Sequence, residues 1–89
     1  MRAFFTKSFK KAYSKRVSHR KNLVSRFEER YDLFEENPTN PTLQDHVLSG
    51  KLEGFRAFSI TGDIRVVYHI YDNVAYFVDI GTHNQVYGK

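Results

Sequence analysis

The hydrophobic period of this chain changes once, and the break falls at Asn37-Pro-Thr-Asn-Pro41. Before it, apolar residues recur every three to four positions, first as Phe5, Phe9, Ala12, Tyr13 and Val17, then as Leu23, Val24, Phe27, Tyr31 and Phe34. Such spacing lines one side of a helix. The first helix is predicted to open at a Thr6 or Ser8 cap, with Lys7, Lys10, Lys11 and Lys15 on its outer face. A second, of about five turns, opens at Ser18 and runs to Asn37. Pro38 and Pro41 stop it, because proline lacks the ladder N–H and drives its predecessor toward extended backbone. Beyond the break, residues 55–60, 64–71 and 74–80 are short runs rich in β-branched and aromatic side chains, separated by Thr61-Gly62 and Asp72-Asn73. They predict an antiparallel three-stranded meander, and Ala3-Phe4-Phe5 is short enough to add an N-terminal strand. The expected fold is α+β: two N-terminal helices packed on one face of an antiparallel sheet, the other face partly free for a ligand.

Eighty-nine residues, 40% apolar and 16% aromatic, suffice for one core and one domain, residues 1–89. Eight Phe and six Tyr argue against a disordered chain. With no Cys there is neither a disulfide nor a thiolate metal site, which suits a cytoplasmic protein. No apolar run reaches the roughly 18 residues that cross a bilayer, and MRAFFTKSFKK lacks the features of a signal peptide, so no membrane association is expected. The net charge of +4 is unevenly spread: residues 1–31 carry ten of the fourteen Lys and Arg against two Glu, a balance of +8, and the remainder is −4. A basic third on so small a chain attracts nucleic acid, an acidic protein segment or anionic lipid, unless the charges merely solvate helix faces.

Alternation along residues 64–71 places Ile64, Val66, Tyr68 and Ile70 on a core face, and Arg65, Val67, His69 and Tyr71, continuing from Asp63, on the other. His46 precedes the sheet, and His83 and Tyr87 follow its last strand. His46, Asp63, Arg65, His83 and Tyr87 thus form the candidate catalytic set. A base that takes a 2′-hydroxyl proton, an acid that protonates the leaving 5′-oxygen and a cation that steadies the phosphorane would cleave RNA without metal. The four His show no ligand spacing, so neither a metal nor another cofactor is expected. Structural roles stay open for each residue: His46 closing a loop onto Asp45, His83 capping a C-terminal turn, Asp63 serving only its turn, and Arg65 pairing with Asp79. His19 and His69 read as structural.

The patterns Asp45-His-x-Leu-x-Gly50, Gly62-Asp-x-Arg-Val-x-Tyr68 and Gly81-Thr-His-x-x-x-Tyr87, in this order behind two helices, resemble the RelE/ParE superfamily of bacterial toxins, most closely its YafQ branch. The resemblance covers nearly the whole chain. It implies a RelE-like fold and a toxin of a type II toxin–antitoxin pair, with an antitoxin protein, the ribosome and mRNA as partners. The implied activity is ribosome-dependent mRNA cleavage leaving a 2′,3′-cyclic phosphate, which arrests translation. By the same resemblance His46, Asp63, His83 and Tyr87 match functional positions of the YafQ type, where the last is usually Phe, and Arg65 matches an arginine of YoeB-type relatives. Lys10, Lys11, Lys15, Arg20, Lys51 and Arg56 are the expected RNA contacts. Ser59 departs from a second strand histidine, and Asp79 from a basic residue before Gly-Thr-His. These departures keep two alternatives: a ParE-like gyrase inhibitor without nuclease activity, and an inactive antitoxin-binding homologue.

Overall fold

The computed structural model describes residues 1–88. Its elements run β1 (Arg2–Phe5), α1 (Lys7–Arg16), α2 (Lys21–Glu36), β2 (His46–Val47), β3 (Arg56–Ser59), β4 (Ile64–Tyr71), β5 (Val74–Thr82) and α3 (His83–Tyr87), with single 3-10 turns at Pro41–Leu43 and Gly50–Leu52. This is the mixed α+β fold, and its sheet has five strands in the order β1-β5-β4-β3-β2. The meander β3-β4-β5 is antiparallel, while β1 pairs parallel to β5 with Phe5 beside Phe77. β2, only two residues long, closes the far edge with His46 beside Ala57, and no sequence signal announces it.

Local chemistry explains most boundaries. Thr6 caps α1, accepting the Phe9 amide at 3.2 Å, and donates its hydroxyl to the Phe77 carbonyl at 2.7 Å, so one residue starts the helix and ties it to β5. Ser18 does not start α2. Its hydroxyl turns back to the Ser14 carbonyl at 2.8 Å, and α2 begins after Arg20 without a side-chain cap. Asp72 and Asn73 both adopt positive φ, 53° and 65°, as a two-residue turn matched to strand twist requires.

The helices cover one sheet face, where Phe9, Phe27, Phe34, Phe58, Tyr68 and Phe77 are buried together, with Phe34 stacked on Phe58 at 4.8 Å. Each such ring contributes about 1.5–3 kcal/mol by burial. Ile70, expected in this core, is 47% exposed. It lies beyond the end of the helical cover, beside Pro38 and Pro41. On the opposite face Ala57 and Val67 are buried outside that core, as is Val86 of α3, so this face is closed at one end.

Candidate active site

The closed end of that face holds a cleft of about 480 Å³ lined by residues 46–49, Lys51 and Leu52 on one side and by Arg65, His83 and Tyr87 on the other. Three local structures place its polar groups. Asp45, whose side chain is only 6% exposed, accepts from Arg56 Nε at 2.8 Å and from the Tyr68 hydroxyl, which pins the chain where it enters β2. His46 follows at once. Its Nδ1 lies 2.9 Å from the Gln44 carbonyl, so the neutral ring donates there and leaves Nε2 as its free acceptor. Burial, reinforced by hydrogen bonding to Asp45, pushes the Tyr68 hydroxyl far above the ordinary tyrosine range, and the same carboxylate pushes the Arg56 guanidinium up.

The second device is α3. Thr82 and Gln85 form a reciprocal capping box: the Gln85 amide donates to Thr82 Oγ1 at 3.2 Å, and the Thr82 amide donates to Gln85 Oε1 at 2.8 Å. Gly81 makes room for it, because a Cβ there would come within 2.6 Å of Gln85 Oε1 and 2.8 Å of Arg16 Nη1. His83 and Tyr87, four residues apart, therefore project from one side of a five-residue helix with ring centroids 4.6 Å apart, while Val86 anchors the helix. The third is the middle of the sheet. Arg65 pairs in register with Ser59 and Gly81, its Nη2 donates to the Gly62 carbonyl at 3.3 Å, and its guanidinium carbon stands 6.0 Å from the Tyr87 ring centre. Among the described residues, Arg65 Nε and the Tyr87 hydroxyl are buried polar atoms with no hydrogen-bond partner.

Of the expected residues, His46, Lys51, Arg65, His83 and Tyr87 meet in this cleft. Asp63 does not line it. It is an exposed turn residue whose amide donates to Thr61 Oγ1 at 3.1 Å, immediately before β4 rather than in it. Arg56, expected to contact RNA, faces the other way and is held by Asp45 in a separate hollow. Lys10, Lys11, Lys15 and Arg20 are exposed and outside the cleft, and Lys11 and Lys15 flank a second hollow beside Val78 and Asp79. Asp79 pairs with Arg16 at 3.1 Å rather than with Arg65. Ser59 is 8% exposed, with its hydroxyl 3.3 Å from Gln44 Oε1 and its carbonyl accepting from Arg30. Neither departure from the family pattern contributes a charge to the cleft. The Thr82-x-x-Gln85 capping box is a support for the site that its spacing makes readable in the sequence. The anchoring role of Asp45 carries no sequence signal beyond its place in the Asp-His pattern.

The cleft thus gathers two imidazoles, a guanidinium, an ammonium and a phenol, and among the described residues no carboxylate lines it. Such a set attracts an anion and can move protons around it. Among the described residues no three His, Asp or Glu gather as a metal-holding group.

No curated protein matches the chain. Among solved structures it is similar to YafQ of E. coli, at 21% identity and TM-score 0.82 over 99% of this chain and 100% of that one. It is also similar to a chain of the E. coli DinJ-YafQ complex (21%, TM-score 0.79, 99% and 100%) and to a YoeB/ParE toxin from Agrobacterium tumefaciens (18%, TM-score 0.76, 93% and 99%). These likenesses show the fold. A family model described as the YafQ bacterial toxin of type II toxin-antitoxin systems matches residues 1–88, and the chain accordingly belongs to the YafQ toxin family.

Proposed function

We propose that this toxin is a ribosome-dependent mRNA endonuclease, a single RelE-like domain that cleaves RNA by acid and base catalysis without metal. The observation that carries the reading is the meeting of two imidazoles, a guanidinium, an ammonium and a phenol in one cleft that, among the described residues, no carboxylate lines, a set that attracts a phosphate and can move protons around it. His46 Nε2 takes the proton of a 2′-hydroxyl, whose oxygen attacks the adjacent phosphorus. The P–O5′ bond breaks, and His83 gives the departing 5′-oxygen its proton, leaving a 2′,3′-cyclic phosphate and a 5′-hydroxyl. Arg65 and Lys51 balance the phosphorane charge, and Tyr87 orients the nucleotide. Asp63, the other candidate base, stands outside the cleft, so the base role falls to His46.

The DinJ-YafQ complex supports a cognate antitoxin as the physiological partner, and ribosomes set the cytoplasm as the place of action. Lys10, Lys11, Lys15 and Arg20 serve as contacts to ribosomal RNA. The test is cleavage of a defined message on purified ribosomes, with the products mapped at both ends. Replacing His46 or His83 by alanine is expected to slow cleavage by about 10²- to 10⁴-fold each. Unchanged cleavage by both variants would overturn these roles. Inhibition of gyrase supercoiling with messages left intact would support the gyrase-inhibitor reading instead.

A further inference from the structure

The open end of the same sheet face carries a cross-strand row of rings that the cleft chemistry does not use. Phe4 of β1 meets Tyr76 of β5 at 5.7 Å, Tyr76 stacks on His69 of β4 at 5.4 Å and 13°, and His69 meets Phe55 edge-on at 5.2 Å. The row is supported from within and open at its rim. Phe4 is 54% exposed, and Tyr71, two residues beyond His69 on the same face, is 69% exposed. Core packing alone does not explain Phe4, because its neighbour Phe5 already supplies the inward ring of β1, stacked on Phe77 at 5.4 Å.

We propose that this row is a stacking platform for bases of single-stranded RNA, with Phe4 and Tyr71 as the receiving rings. The proposal deepens the endonuclease reading and rests on it for the identity of the strand. Two features select this occupant. The platform is continuous with the cleft, because Arg65, Val67, His69 and Tyr71 alternate along one face of β4, so Arg65 and His69 stand about 13 Å apart, a span that a few nucleotides cover. The charge is also complementary to a phosphate backbone. Arg2 shares this face with Phe4 and pairs in register with Val74, Lys51 and Arg65 lie at the cleft end, and the carboxylate of Asp79, in register with Val67 between them, is neutralised by Arg16 at 3.1 Å. Rings on a sheet with cations alongside are what sequence-tolerant single-strand binding requires, since every base has a π-face.

The test uses the full chain and a short 2′-O-methyl RNA containing 2-aminopurine, which cannot be cleaved and whose fluorescence falls on stacking. Binding is expected to quench the probe. The double variant Phe4→Leu and Tyr71→Leu should weaken affinity by about 5- to 100-fold per stacked base, with the slope of affinity against salt unchanged. An abasic site in place of the 2-aminopurine should weaken binding to the unaltered chain similarly, which needs no variant to fold. Circular dichroism of the double variant should match the parent. Equal binding of the intact and abasic strands would overturn the proposal. So would a double variant that binds RNA normally but loses an antitoxin segment, or a dimer in sedimentation, since the rings would then belong to a protein interface. Because the probe cannot be cut, these results stand apart from the cleavage assay. Quenching without message cleavage on ribosomes would sink the endonuclease reading and leave the platform standing.

Discussion

Asp45 is the residue on which the His46 segment depends, although it stands outside the chemistry. Its carboxylate is buried and accepts from both Arg56 and Tyr68, so the two-residue strand that carries His46 is held by ionic and hydrogen-bonding partners rather than by a long ladder. This arrangement makes Tyr68 sensitive to high pH. Its hydroxyl is raised by burial and by Asp45, so the folded state favours the neutral phenol. The linkage has a fixed sign: the contribution is fully present below the ordinary tyrosine value of about 10 and is lost as pH climbs from there toward the raised folded value. Denaturant unfolding followed between neutral pH and about pH 11 should therefore show stability falling above about pH 10, and Tyr68→Phe should flatten part of that fall. Part of the slope will survive, because burial also raises Tyr13 and Tyr31. An unaltered alkaline slope in Tyr68→Phe would show that the phenol–carboxylate bond adds nothing.

At the scale of elements, α3 is the most exposed to single changes. Five residues cannot sustain a helix by propensity, since nucleation costs more than so few hydrogen bonds return. Its stability comes from the capping box, from Gly88 closing its C-terminus in the left-handed region at φ 68°, and from Val86. Thr82→Ala should lower global stability by only about 0.5–2 kcal/mol. Its effect on message cleavage should be larger, because His83 and Tyr87 share the helix whose cap is removed. Thermal melting beside a cleavage assay checks this, and activity that falls no further than stability would deny α3 a positioning role. The Gly-Thr-His pattern was legible from sequence as a motif. Its physical reason, a glycine without a Cβ beneath the Gln85 side chain, emerges only in the folded chain. β2 was illegible for a different reason. Two residues give no periodicity, and their pairing with Arg56 and Ala57 follows from where the anchored loop lands.

For the whole molecule the decisive asymmetry is charge. The basic residues of α1 and its exit lie outside the cleft, so binding to ribosomes and cutting should separate experimentally. Reversing Lys10, Lys11 and Lys15 to Glu should weaken ribosome association and flatten its salt dependence by about 0.7–0.9 log units for each phosphate that is no longer neutralised. The fold should persist, because these side chains are exposed while Phe9 and Ala12 hold the inner face of α1. A salt titration that gives identical curves for the parent and the reversed variant would assign the charge to solvation alone. By itself the sequence determined the α+β class, both long helices and the meander, since hydrophobic period and turn residues are local and act before any long-range pairing forms. It also carried His46, Arg65, His83 and Tyr87 as a set, through motif spacing. Only the tertiary structure decided which charges share a surface. It withdrew Arg56 to Asp45 and Asp79 to Arg16, left Asp63 in its turn, and exposed Ile70 where the helical cover ends. Those outcomes depend on strand register and on which partner lies within a hydrogen bond's reach, and neither is encoded by a residue's neighbours in the chain.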